Sequence, residues 1–268
     1  MAGAGNIDVQ ETVDVMDVAS KVTCSRFSEE GWKKAEAYVP REMEITVYVN
    51  DRALVTILCT AAKLDYLVVG YLYAEGIITN MDDIASMELK LSESMAVVYL
   101  KDPAFELPTL RKLGCSGSSV YKTQGERIYS DLVTTPEAVL SLMEKLQAQM
   151  ELYPISGGVH TSALADTEKL LVVAEDIGRH NTLNKIQGEC IMRGISTKDK
   201  LMLITGRISS EMLLKAAKMH APIVVSRHAP TKSAVLLATE MTIALVGQAR
   251  GGSLAVFTCP ERLGLPPA

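Results

Sequence analysis

Nowhere does this sequence hold the roughly eighteen uninterrupted apolar residues that mark a membrane-spanning helix. The best candidate, residues 234–246, is broken by Glu240. There is no dense lysine and arginine run, and the net charge is −5 at pH 7. General nucleic-acid binding, which shows as a basic stripe, is therefore not expected. A secretory leader opens with positive charge and an apolar stretch. Here Asp8, Glu11, Asp14 and Asp17 precede the first lysine, Lys21, and a cytoplasmic location is expected. The cysteines Cys24, Cys59, Cys115, Cys190 and Cys259 are scattered, with no close pair. That excludes a disulfide framework and the C-x2-C nucleus of a structural zinc site, and it suits a reducing compartment. No metal of the protein's own is expected. No G-x-G-x-x-G follows a strand pattern, which argues against a dinucleotide dehydrogenase. A zinc deaminase needs H-x-E and then P-C-x-x-C; His160 is followed by Thr161-Ser162, and no P-C-x-x-C exists.

What is present is enough for a substantial core. The chain has 268 residues, 48% hydrophobic and 22% charged. Its mean hydropathy of +0.15 leaves apolar surface to hide, which favours an oligomer. Residues 1–38 read as a poorly defined lead-in. Residues 39–130 read as an α+β domain. Within it the alternation from Met43 to Val49, a turn at Asn50-Asp51 and the return from Leu54 make a hairpin. Residues 63–75 have helical spacing with Gly76 as the stop, and a second strand pair turns at Ser92-Glu93-Ser94. Residues 103–129 hold Pro103, Pro108, Gly114, Gly117 and Gly125 and keep no period. A loop of this length is functional or disordered, and it is expected to be mobile without partners. Residues 131–268 start a helix at Pro136 and then alternate strands and helices. The helices are read at 181–192, 211–219 and 233–246. That alternation implies a largely parallel sheet with helices on its faces.

Three strand-to-helix loops share a chemistry: residues 175–181 (EDIGRHN), 205–210 (TGRISS) and 226–231 (SRHAPT). Each sets an arginine, Arg179, Arg207 or Arg227, beside a helix N-terminus, where unpaired N–H groups and the helix dipole favour anions. Arginine adds a planar fork suited to phosphate. Ligands bind beyond the carboxyl ends of strands in such sheets, so the three loops are expected to hold a pyrophosphate or dinucleotide. His180 and His228 lie in these loops as candidate proton donors or ligand contacts. His160 follows Gly157-Gly158 and opens a strand, a further candidate of the same kind. Arg250-Gly251-Gly252 joins the last helix to the last strand on this reading, so it need not reach that edge within one subunit. Cys115 sits mid-loop between Gly114 and Gly117, with Arg111, Lys112 and Lys122 around it. Those surroundings suit a thiolate that accepts sulfur and passes it on as a persulfide.

These residues resemble the FdhD family, the formate dehydrogenase accessory sulfurtransferases. The resemblance is carried by residues 40–45, 70–78 and 114–117, by Gly157-Gly158-Val159-His160 and by residues 175–181. Thr205-Gly206-Arg207, Ser226-Arg227, Arg250-Gly251-Gly252 and Glu261-Arg262 complete it. It implies an α/β protein whose C-terminal domain is cytidine-deaminase-like, with a smaller α+β N-terminal domain, assembled as a homodimer. It implies a sulfurtransferase that takes sulfur from a cysteine desulfurase and passes it to the bis-guanine-dinucleotide molybdenum cofactor, bound as a client, for formate dehydrogenase. The persulfide then falls on Cys115. The cofactor stretch falls on Gln248, Ala249, Arg250, Gly251, Gly252 and Ser253, beside Arg179, His180, Arg207 and Arg227. Ser118 stands where many members have a second loop cysteine, which points to a single persulfide carrier. The alternative is a non-catalytic chaperone that only holds the cofactor.

Overall fold

A computed structural model describes residues 15–105, 111–113 and 126–265. Strands β1 (Ala19–Ser28) and β2 (Gly31–Pro40) form a separate antiparallel ribbon, so the expected lead-in is corrected by a long hairpin. Sequence pattern missed it because both faces of the ribbon are largely exposed, which removes the period-2 alternation of a half-buried strand.

The hairpin of β3 (Met43–Val49) and β4 (Arg52–Cys59) forms as read, with Asn50 and Asp51 both at positive φ in the turn. Helix α1 (Leu64–Ala74) follows, then the antiparallel pair β5 (Ile84–Lys90) and β6 (Met95–Leu100). Strand β7 (Arg111–Leu113) pairs parallel with β4 inside the segment read as an aperiodic loop. The five-stranded sheet runs β5-β6-β3-β4-β7. Its apolar face, with Ile45, Val47, Val55 and Ile57, packs on Leu64, Leu67, Val68 and Leu72 of α1.

The remaining elements are α2 (Pro136–Ala148), the short α3 (Leu152–Ser156), β8 (His160–Ala165), β9 (Leu170–Asp176), α4 (Arg179–Arg193), β10 (Leu201–Ile204), α5 (Ser210–Lys218), β11 (Ile223–Ser226), α6 (Lys232–Glu240), β12 (Ala244–Arg250) and β13 (Ser253–Val256). Thr135, Ser209 and Thr231 cap α2, α5 and α6 through their side-chain oxygens. The six-stranded sheet runs β13-β12-β11-β10-β8-β9. Only its centre, β10, β11 and β12, is parallel; β8, β9 and β13 run antiparallel to their neighbours. The largely parallel sheet is corrected accordingly. Alternate residues face opposite layers, as the pleat requires. Met202, Ile204 and Val224 meet α4, α5 and α6, while Leu201, Leu203 and Val225 meet Val139, Leu142 and Leu146 of α2.

Helices α1 and α4 cross in direct backbone contact. A Cβ on Gly70 would lie 1.8 Å from the Asn184 carbonyl oxygen, and one on Gly188 1.9 Å from that of Tyr66. Helix α4 lies between α1 and the six-stranded sheet and is buried at every position from His180 to Cys190. Among the described residues no helix is long and apolar enough to cross a membrane.

Candidate functional site

The carboxyl ends of β10, β11 and β12 lie on one edge of the six-stranded sheet. Because β8 runs antiparallel to β10, its first residues return to that same edge: Ser162 pairs with Ile204, and His160 pairs with Asp176 at the end of β9. The loops there are tied to one another. Thr205 and Thr161 exchange two bonds of 2.9 Å, Ser226 Oγ donates to the Gly206 carbonyl at 2.7 Å, and the His228 N–H donates to Ser226 Oγ at 3.0 Å.

A cleft of about 470 Å³ opens on this edge, lined by Tyr153, Gly157, Gly158, Val159, His160, Thr205, Arg227, His228 and Arg250. It holds two arginines and two histidines, and no carboxylate among those lining residues. Arg250 shares it with Arg227 within one chain. This corrects the expectation that the Arg250-Gly251-Gly252 turn need not reach that edge. The reason is that residues 244–246 are not the end of a helix. The helix stops at Glu240, Thr242 turns at φ 55°, and β12 pairs parallel with β11 over Ala244–Val246 before continuing to Arg250. Gly251 and Gly252, at φ 58° and 74°, make a two-residue turn between the paired Arg250 and Ser253, the positive-φ pattern that glycine favours in a tight hairpin. Of the remaining stretch, Gln248 and Ser253 are exposed and the Ala249 side chain is in the core. Gly247 is required by packing: a Cβ there would lie 3.0 Å from the His228 carbonyl and 2.9 Å from Phe257.

Arg207 is exposed and is not among the described residues that line the cleft. Arg179 is half-buried behind it. A Cβ on Gly206 would lie 3.6 Å from the Arg179 Cβ and 3.1 Å from His160 Nδ1. The Arg179 Nε is buried without a hydrogen-bond partner among the described residues. His180 is buried, and neither ring nitrogen has a hydrogen bond there; the Glu211 carboxylate lies 3.6 Å from Nε2, beyond bonding distance. Burial above all, then Lys215 and Arg179, pushes the His180 pKa down to about 3, so the ring is neutral at physiological pH. His160 is half-buried, and burial, then Arg179, holds its pKa below the usual 6.5.

Much of the 175–181 loop is occupied by the fold itself. The Asp176 carboxylate accepts from Thr60 N (3.1 Å), Gly178 N (2.8 Å) and Asn181 Nδ2 (2.8 Å), and ion-pairs with Lys185 Nζ at 2.6 Å with both side chains fully buried. Lys185 Nζ also donates to the Thr60 and Glu175 carbonyls, and Asn181 Nδ2 to the Leu58 carbonyl at 2.9 Å. These bonds tie the end of β4 to the start of α4. Glu175 accepts the backbone N–H groups of Glu151, Leu152 and Tyr153 at 2.7–3.0 Å, which fixes Tyr153 at the rim of the cleft.

Cys115, Ser118 and most of the 103–129 segment around them lie outside the described residues. Cys59 and Cys190 are buried thiols pushed up to about 12, chiefly by burial and then by Asp176 and Glu189 respectively. They are protonated at neutral pH and poor nucleophiles.

Fold and site together define a mixed α/β protein with an arginine- and histidine-lined cleft at the carboxyl edge of its larger sheet. Residues 40–264 match the FdhD/NarQ family, and the chain belongs to it. It is 41% identical over 249 residues to a sulfur carrier protein FdhD of Halalkalibacterium halodurans, covering 86% of this chain and 90% of that one. It is 39% identical over 251 residues to the protein of that name in Bacillus subtilis, covering 89% and 95%. The crystal structure of a candidate formate dehydrogenase accessory protein from Desulfotalea psychrophila superposes with a TM-score of 0.77 at 23% identity, covering 92% of this chain and 99% of that one, and so has the same fold.

Proposed function

We propose that this protein carries sulfur for formate dehydrogenase, loading it on Cys115 and delivering it to the bis-guanine-dinucleotide molybdenum cofactor held in the cationic cleft. The observation that carries the proposal is the meeting of Arg227, Arg250, His160 and His228 around one cleft with no carboxylate among its described lining residues. The name of the Halalkalibacterium and Bacillus relatives supports sulfur carriage. The cofactor is cargo here. Its dinucleotide arms carry diphosphates, for which arginine forks and glycine backbone are suited partners, and Tyr153 gives an aromatic wall for a guanine. In loading, the Cys115 thiolate attacks the terminal sulfur of a cysteine desulfurase persulfide. The new S–S bond forms as the donor's S–S bond breaks, and the donor cysteine leaves as thiolate. On this reading the protein is a cytoplasmic homodimer with residues 39–130 and 131–268 as its two domains. The second is built like a cytidine deaminase but lacks that enzyme's zinc signature, so fold and chemistry part company.

The test is intact-mass measurement after incubation with a cysteine desulfurase and cysteine. The parent is expected to gain the mass of one sulfur as a reducible adduct, and Cys115→Ala to gain none. An adduct that persists in Cys115→Ala overturns the assignment. Full activation of formate dehydrogenase by Cys115→Ala favours the chaperone reading instead, in which the cleft alone matters.

A further inference from the structure

The fixed positive charges on the described lining of the cleft are arginines, and they stay charged at any physiological pH. A histidine changes charge in that range. His160 is held in place by the fold. It opens β8 with its backbone opposite Asp176, and its Nδ1 edge is packed on Gly206. The charged and titratable groups that act on it are Arg179, Asp176 and His228, and Arg227 and Arg250 line the same cleft. The Asp176 carboxylate ion-pairs with Lys185 and accepts three N–H groups, and its raising pull on the imidazole is outweighed by burial and Arg179. In the free protein His160 therefore stands among cations in a half-buried position, and both conditions favour the neutral ring. A diphosphate laid against Arg227 and Arg250 reverses the local charge and favours the imidazolium.

We propose, resting on the reading of the cleft as a diphosphate site, that His160 is its proton-linked binding residue, neutral in the free protein and protonated when a diphosphate diester is bound. Ligand binding then takes up a proton. Affinity is greatest at low pH and weakens as pH rises through the window between the free and bound states of His160, by at most about tenfold per pH unit for one proton. The device matches the cleft's charge to its ligand: an anionic diester gains a third cationic contact, and an uncharged nucleoside gains none.

The probe is diguanosine diphosphate, in which a diphosphate diester bridges two guanosines. Its phosphates carry fixed charge between about pH 6 and pH 8, the range in which histidine titrates, so any proton taken up goes to the protein. Calorimetric titration of the full chain in two buffers of different ionisation enthalpy reads that uptake. The parent is expected to take up a fraction of a proton, and its Kd to weaken several-fold across that range. His160→Gln and His160→Asn lose both effects; His228→Gln keeps them. Imidazole proton NMR of the parent gives the same reading without a variant, with the His160 signal moving to its protonated position on binding. Binding without proton uptake, uptake that survives both His160 variants, or uptake lost only in His228→Gln overturns the inference while leaving the diphosphate site standing. Failure of the parent to bind the probe at any pH overturns the site, and the inference with it.

Discussion

Lys185 depends closely on its neighbours. It is fully buried, and its ammonium is satisfied by Asp176 and two carbonyls. Removing one member of such a pair leaves a buried charge without a partner, a loss of about 3–5 kcal/mol. Lys185→Met is therefore expected to lower the urea midpoint strongly. Adding Asp176→Leu should not restore it, because the N–H groups of Thr60, Gly178 and Asn181 then lose their acceptor as well. A second residue-scale expectation concerns the thiols. Cys59 and Cys190, pushed up to about 12, are in the thiol form at any pH well below that. Iodoacetamide at neutral pH should leave both unmodified in the folded protein, as peptide mass mapping would show, and label them once it is unfolded. The 175–181 loop shows where reading residues in isolation falls short. Arg179 and His180 do stand beside the edge that carries the cleft, but Asp176 and Asn181 are occupied in joining β4 to α4. That joining depends on Thr60 and Leu58, more than a hundred residues earlier in the chain.

At the scale of elements, the α1–α4 crossing decides how the two main cores meet. Replacing glycine by alanine inside an exposed helix gains about 0.5–1 kcal/mol. At Gly70 and Gly188 the sign should invert, because each new methyl would fall within 2 Å of a backbone oxygen on the opposite helix. Overpacking costs about 1–3 kcal/mol, and more where nothing can move aside. Gly70→Ala and Gly188→Ala are thus expected to be destabilising in chemical unfolding, whereas alanine at the exposed Gly194 would test only strain at its φ of 66°. The β3–β4 hairpin and α1 were legible in sequence, because turn residues and apolar period agree there. The span 233–246 was not. Its apolar residues continue past the helix into β12, and periodicity alone does not separate a buried strand from a buried helix. The β1–β2 ribbon was invisible for the opposite reason, having too little buried face to leave a pattern. Its tip carries Phe27 and Trp32 with ring centroids 5.2 Å apart, and Trp32 is 72% exposed.

For the whole molecule, the question is which arginines converge, and that is set by topology more than by local motif. Sequence placed Arg179, Arg207 and Arg227 on one edge because each follows a strand. It could not see that β8 comes back antiparallel to bring His160, or that β12 ends at Arg250 on the same side. The folded chain joins Arg227 and Arg250 in the cleft, sets Arg179 behind it, and leaves Arg207 exposed and outside the lining. This separation makes a graded prediction for a guanine nucleotide such as GDP. A hydrogen bond to a charged group contributes about 1.5–3 kcal/mol, so Arg227→Ala and Arg250→Ala should each weaken GDP binding about tenfold or more. Arg207→Ala should change it by less than about twofold at moderate salt, since a solvent-exposed charge at a distance is screened within roughly 8–10 Å. Raising the ionic strength should shrink what remains of the Arg207 effect and leave most of the other two. Calorimetric titration of the parent and the three variants at two salt concentrations measures this directly. Equal losses in all three variants would mean that Arg207 swings into the cleft when ligand binds. No loss at Arg227 or Arg250 would mean that the nucleotide sits elsewhere and that these arginines only shape the edge of the sheet.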